Sequence, residues 1–147
     1  MHEDFPKDIK LADAFSNTNN LLVVSDRLSK LLKELKALKG NEVFDVAIFN
    51  HKGRREKEKF FVIHQTNFKK CVDEKKTIGK KSSIDSEQYV TMRKLVLDEK
   101  KISKQLAIFR PLEYNERAFF RRDVAEAITE AGIVGLQFFE IEEYDEF

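Results

Sequence analysis

Apolar residues follow a helical period in two stretches of this chain and a strand period around them. Val124, Ala127, Ile128 and Ala131 fall at i, i+3, i+4 and i+7, so they share one face of a helix. Asp123 puts a negative charge in its first turn, where it complements the helix dipole. Gly132 follows as a residue able to take the left-handed conformation that closes a helix. LAIF before the helix reads as a short strand. GLQFFEI after it reads as a second, with Leu136 and Phe138 pointing one way and Phe139 and Ile141 the other. A similar unit lies 96 residues upstream. LLVVS is its strand, and Leu28, Leu31, Leu32, Leu35 and Leu38 line a helix expected from about Asp26 to Lys39, with Gly40 closing it. In this alignment Val24 matches Phe120, Leu28 matches Val124, Leu31 matches Ala127 and Leu32 matches Ile128. Ser25, a good N-cap, stands where the other copy has Arg121, which is not one. Duplication and the general likeness of two amphipathic strand–helix–strand units both account for the pattern.

The remaining segments supply strands and turns. EVFDVAIF predicts a strand with Phe44, Val46 and Ile48 on one face, HKGRREKEK a charged hairpin loop around Gly53, and FFVIHQ the returning strand. Gly79 and Ser82–Ser83 mark a loop within residues 66–88. YVTMRKLVL reads as the next strand, and DEKK turns the chain through ISKQ into LAIF. Residues 1–20 form an N-terminal arm whose Phe5, Ile9, Leu11 and Phe15 can pack and whose SNTNN ending is loop chemistry. The expected fold is α+β, a mainly antiparallel sheet of about five strands with two main helices packed on it. It forms a single domain over residues 21–147, with Leu28, Leu31, Leu35, Val124 and Ile128 buried against one sheet.

Composition narrows the class. With 147 residues, thirteen Phe, no Trp and 41% hydrophobic residues, the chain supports a core without disulfides or metal. Cys71 stands alone, which rules out an intramolecular disulfide and suits a reducing compartment. The polar, acidic first twenty residues contain no signal-peptide or membrane-spanning run, so a cytosolic location is the default and no membrane partner is expected. Net charge is +1 but unevenly placed. Residues 51–104 carry sixteen Lys and Arg against eight acids, and residues 105–147 carry four against ten. Such polarity can steer a charged partner, or it can simply be solvated surface.

Candidate chemistry is sparse. His2, His51 and His64 are not at ligand spacing from one another or from Cys71, so no metal site is expected. Cys71 with His64 lacks a nearby orienting group or oxyanion device, and a buried structural cysteine is the simpler reading. The five glycines are scattered, with no phosphate-binding loop. No catalytic residue or cofactor is expected. The basic middle has aromatics only at Phe60, Phe61 and Phe68, which the strand pattern places in or near the core, so nucleic acid is not the expected partner. FRPLEY, Phe109 to Tyr114, is richer. Pro111 stops the strand, Arg110 and Glu113 are close enough along a turn to pair, and Tyr114 has an apolar body with a polar tip. A structural corner and a partner-binding surface both fit it. At the C-terminus, Glu142, Glu143 and Glu146 surround Tyr144. This is either an anchor with a charged rim for a partner or a solvated, frayed end.

These segments carry a resemblance. F-R-x-x-E-Y, an aromatic strand, R-x-D-V-A-E-A-I and then A-G-I-x-G-L-x-F resemble the C-terminal signature of a family of bacterial immunity proteins from polymorphic toxin systems, formerly a domain of unknown function. LLVVSDRLSKLL is similar to that family's opening helix and FFVIHQTNFKKCVDEKKT to its central segment, so the likeness spans about residues 20–141. Arg121–Arg122 at the helix entrance and the basic stretch from Lys75 to Lys81 depart from the pattern. The resemblance implies an immunity protein that binds and neutralises a cognate protein toxin by stoichiometric occlusion, with no catalytic residues to carry over. An adaptor or regulatory binding domain, and an enzyme with an unreadable site, are the alternatives. A toxin gene beside this one separates the first reading from the others.

Overall fold

The computed structural model describes residues 11–15, 17, 19–50 and 52–143. Ser25 ends strand β2 (Leu22–Ser25) and caps helix α1 (Asp26–Glu34), its hydroxyl oxygen accepting the Leu28 amide at 3.3 Å. This satisfies one of the donors a helix start leaves free. Leu28 and Leu32 are buried, while Leu31 and Leu35 pack on the core half-buried, because the nine-residue stripe centres on the first pair. The helix ends at Glu34 rather than Lys39, because Lys36 takes a left-handed backbone with φ 54°. The Ala37 amide then donates to the Leu32 carbonyl at 2.8 Å and the Lys36 amide to the Lys33 carbonyl at 3.0 Å. These are the two reversed bonds of a Schellman closure, and Ala37 joins Leu32 in the core.

Helix α2 (Arg122–Glu130) has the same length and closure. Gly132 has φ 63°, its amide donates to the Thr129 carbonyl at 3.0 Å, and the Ile133 amide donates to the Ile128 carbonyl at 3.3 Å. The counterpart of Gly132 is therefore Lys36, not Gly40, and the two units keep one offset from helix start to closing turn. A side chain in this conformation is strained, and a Cβ on Gly132 would meet nothing within 4 Å, so a substitution there acts through the backbone alone. Lys36→Gly is expected to stabilise the chain and Gly132→Ala to destabilise it, each by roughly 0.5–1 kcal/mol after the entropy of the unfolded chain is counted. Urea midpoints that move in opposite directions at unchanged slope check this.

The main sheet runs β1 (Ala14–Phe15), β2, β4 (Phe60–His64), β3 (Glu42–Val46), all antiparallel. Leu22 and Val43 both lie opposite Ile63, and Val24 lies opposite Phe61. These residues share one face, which packs with Leu28, Leu32, Val124 and Ile128 into one core. That register corrects the expectation for β3. Val43 points inward, and Phe44, on the opposite face, is 52% exposed. A second sheet pairs β5 (Phe68–Lys69) in parallel with β8 (Ile108–Pro111), which runs antiparallel to β9 (Phe119–Phe120). Ala107, Ile108 and Phe120 tie it to the same core. Strands β6 (Ile78–Lys81) and β7 (Tyr89–Lys94) form a separate antiparallel ribbon. The fold is α+β with mainly antiparallel pairing and, among the described residues, two α-helices, as expected, though its short strands divide there among three sheets.

GLQFFEI does not form a strand. Leu136 and Phe138 do pack inward, Phe138 edge-on to Phe120 with ring centroids 5.2 Å apart, so the alternation was sound and the pairing was not. Beside β2 the edge is occupied by β1. The Ala14 amide takes the Val134 carbonyl at 3.0 Å, and Gly135 (φ 103°) then turns away. A Cβ on Gly135 would lie 1.9 Å from the Ala14 carbonyl oxygen, so only glycine fits. Ala14–Phe15, in the stretch expected as an arm, is thus an edge strand, whereas Phe5 and Ile9 lie outside the described residues. Asp13 fastens this junction. Its carboxylate accepts the Ser25 hydroxyl at 2.8 Å, the Val134 amide at 3.1 Å and Arg27 at 3.4 Å. Arg27 also donates to the Ala131 and Gly132 carbonyls, placing a cation at the C-terminal end of α2.

Candidate partner-binding site

The FRPLEY corner is built where the second sheet meets the ribbon. The Arg110 amide donates to the Asn67 carbonyl at 2.9 Å and the Leu112 amide to the Lys69 carbonyl at 2.8 Å, so β8 is held along β5 up to Pro111. Phe109 stacks on Phe119 with centroids 5.8 Å apart. The chain then folds over, and the Tyr89 amide donates to the Glu113 carbonyl at 2.8 Å.

Arg110 and Glu113 have separate partners. The Glu113 carboxylate is 2% exposed and accepts the backbone amides of Cys71 and Val72, each at 3.2 Å. Two buried donors that no ladder satisfies are thereby paired. Tyr114 is 3% exposed and packs with Val72, Tyr89, Met92 and Leu95. Both side chains are buried, Glu113 at the wall of a cleft of about 280 Å³ shared with Lys70, Asp73 and Lys101, and Arg110 lines a separate opening.

That opening is a cleft of about 160 Å³ between the Asn19–Leu21 loop, the end of β4 and the corner, with His64, Gln65, Phe68 and Asn115 also on its walls. Arg110 Nε donates to Gln65 Oε1 at 2.6 Å, Nη1 to the Asn115 carbonyl at 2.5 Å, and Nη2 to the Asn20 carbonyl. All three acceptors are neutral oxygens, and burial lowers the guanidinium's pKa from its ordinary value. Gln65 is 4% exposed, and its Nε2 has no hydrogen-bond partner among the described residues. Gln65 was not a sequence candidate. The alternation of β4 marks its position as ordinary strand end, and nothing local announces an unpaired amide. Phe68 is 44% exposed at the same opening.

The acidic end is placed only in part. Ile141 packs on the cluster that contains Tyr114, and Glu142 and Glu143 are exposed in the short 3₁₀ turn Ile141–Glu143. Tyr144 and Glu146 lie outside the described residues. His64 Nδ1 meets Glu42 Oε2 at 3.1 Å across the β3–β4 pair, while Cys71 is buried with Leu106 and Phe109 in another cluster. Burial pushes the Cys71 thiol up to about 11, with Glu113 and Asp98 adding and Lys101 opposing, so the thiolate is disfavoured at neutral pH. Arg121 leaves α2 without a side-chain cap. It grips Asp123 instead, at 2.6 and 2.9 Å, and this bond holds the Asp123 carboxyl below its usual range. Among the described residues no helix is long and apolar enough to cross a membrane, and no cluster of three His, Cys, Asp or Glu is placed to hold a metal.

A family model described as Immunity protein 43 matches residues 7–147, nearly the whole chain. The chain belongs to that family. Among curated proteins none matches it.

Proposed function

We propose that this member of the immunity family acts in the cytosol, binding a cognate protein toxin and neutralising it by stoichiometric occlusion, without turnover. The family match over residues 7–147 carries this reading. The surface supports it. The basic ribbon strands and the acidic Glu142–Glu143 turn lie on one small domain, an arrangement that speeds the encounter of charged partners. Arg110 at the corner, and Glu142 and Glu143 with Tyr144 and Glu146 following, are the proposed contact residues. Glu113 and Tyr114 act from below by holding the corner in shape.

The test is co-expression with the product of the neighbouring gene, pull-down, and titration of the toxin's activity against this chain. The expected result is a one-to-one complex whose activity falls linearly to zero at equimolar ratio. Full protection at a small fraction of one equivalent would instead mean turnover and defeat the occlusion reading. Reversing Glu142 and Glu143 to Lys is expected to slow association at low salt, with the difference shrinking as salt is added. Unchanged association rates would remove the acidic turn from the contact surface.

A further inference from the structure

The cleft at Arg110 presents hydrogen-bond donors and positive charge that no described residue receives. Arg110 spends three N–H groups on Gln65, Asn115 and Asn20, and a guanidinium has five, so two remain among the described residues. Because Arg110 Nε–H engages Gln65 Oε1, that amide's orientation is set and its NH₂ group faces away from the arginine with both donors unused. An unpaired donor this deeply buried is costly, and so is a half-buried cation whose contacts are all neutral oxygens. Among the described residues no acid lines the cleft. Glu42, the carboxylate near its mouth, is held by His64, and Glu113 is turned to the amides on the other side of the corner.

We infer that this cleft receives the carboxylate of an Asp or Glu side chain presented by the toxin, with Gln65 Nε2 and the spare Arg110 N–H groups donating to its oxygens and Phe68 packing against its stem. The inference rests on the proposed function for the identity of the partner. Size argues for a single inserted side chain. The cleft holds about 160 Å³, whereas pockets for free small molecules run to about 300–1,000 Å³. Charge argues for an acid, because a carboxylate accepts from a guanidinium and an amide together and neutralises the arginine. Arginine in a desolvated pocket is also among the residues enriched at binding hot spots.

The full chain, labelled with ¹⁵N, is titrated at constant ionic strength with N-acetylglutamate N-methylamide and, separately, with the glutamine analogue. The expected result is a saturable shift of the Gln65 side-chain amide signals, with half-saturation about tenfold lower for the charged probe, the gap between charged and neutral hydrogen bonds. Gln65→Glu keeps the acceptor for Arg110 and supplies the missing carboxylate from within, so it folds, and its Arg110 Nε–H signal, which shifts with the charged probe in the unmodified chain, no longer responds. Equal response to both probes, or none, overturns the inference; a cleft filled by water alone gives the latter. With the toxin in hand, Gln65→Glu is expected to weaken binding at least tenfold. Capture at unchanged affinity overturns the inference and leaves the proposed function standing. Failure of the unmodified chain to capture the toxin defeats the proposed function and, with it, the assignment of the carboxylate to a toxin.

Discussion

Replacing Glu113 by alanine is expected to destabilise the chain by about 2–6 kcal/mol from two orphaned amides, with the cavity adding to that. Its carboxylate is the acceptor for the Cys71 and Val72 amides, and those residues are themselves buried. A short side chain leaves both donors unpaired inside the protein, at about 1–3 kcal/mol for each. The Tyr89 amide keeps its acceptor in the variant, because that acceptor is the main-chain carbonyl of residue 113, so the loss lies in the side chain alone. Glu113→Gln retains one acceptor oxygen but turns an NH₂ group toward the other amide, so about half the loss is expected. Urea unfolding followed by far-ultraviolet circular dichroism measures all three chains. Equal stability for Glu113→Ala and the unmodified protein would show that the two amides find other partners.

Ile128→Ala is expected to cost about 2–5 kcal/mol, the range for truncating a buried branched side chain in a core that cannot fully collapse. Ile128 is fully buried beside Val124, Leu28, Leu32 and Ile133, and its carbonyl also closes the helix through the Ile133 amide. Leu31→Ala, on a half-buried side chain of the other helix, is expected to cost about 1–2 kcal/mol, because less apolar area leaves water there. The ratio of the two losses tests the placement of the stripe. Leu31→Ala matching or exceeding Ile128→Ala would mean that the face of α1 is rotated from the one described.

Much of the architecture was legible because its signals are local. The stripe Val124–Ile128, the Ser25 cap and the closing turn at Gly132 each depend on residues within one or two helical turns, so periodicity and cap chemistry suffice to read them. The family likeness was legible for the same reason, since its motifs are contiguous. Lys36 escaped because Leu38 continues the leucine stripe past it at helical spacing. The left-handed turn there is imposed by the burial of Ala37 rather than announced by a glycine.

The candidate site was legible in name but not in arrangement. FRPLEY stood out, and Pro111 does end its strand, but the expected pairing of Arg110 with Glu113 assumed that neighbours in sequence are partners in space. The structure gives Glu113 to amides 41 and 42 residues away and Arg110 to an amide oxygen 45 residues away. The same limit hid the outward turn of Phe44, settled by Val43 lying opposite Ile63, and the failure of GLQFFEI to pair, settled by β1 already occupying the edge. By itself the sequence determined which stretches become helices, the cap at Ser25, the closing turn at Gly132, and that the class is α+β. The tertiary structure alone decided register, edge occupancy and the partner of each buried polar group. Those depend on which distant segments close on one another, and periodicity within a segment carries no information about that closure.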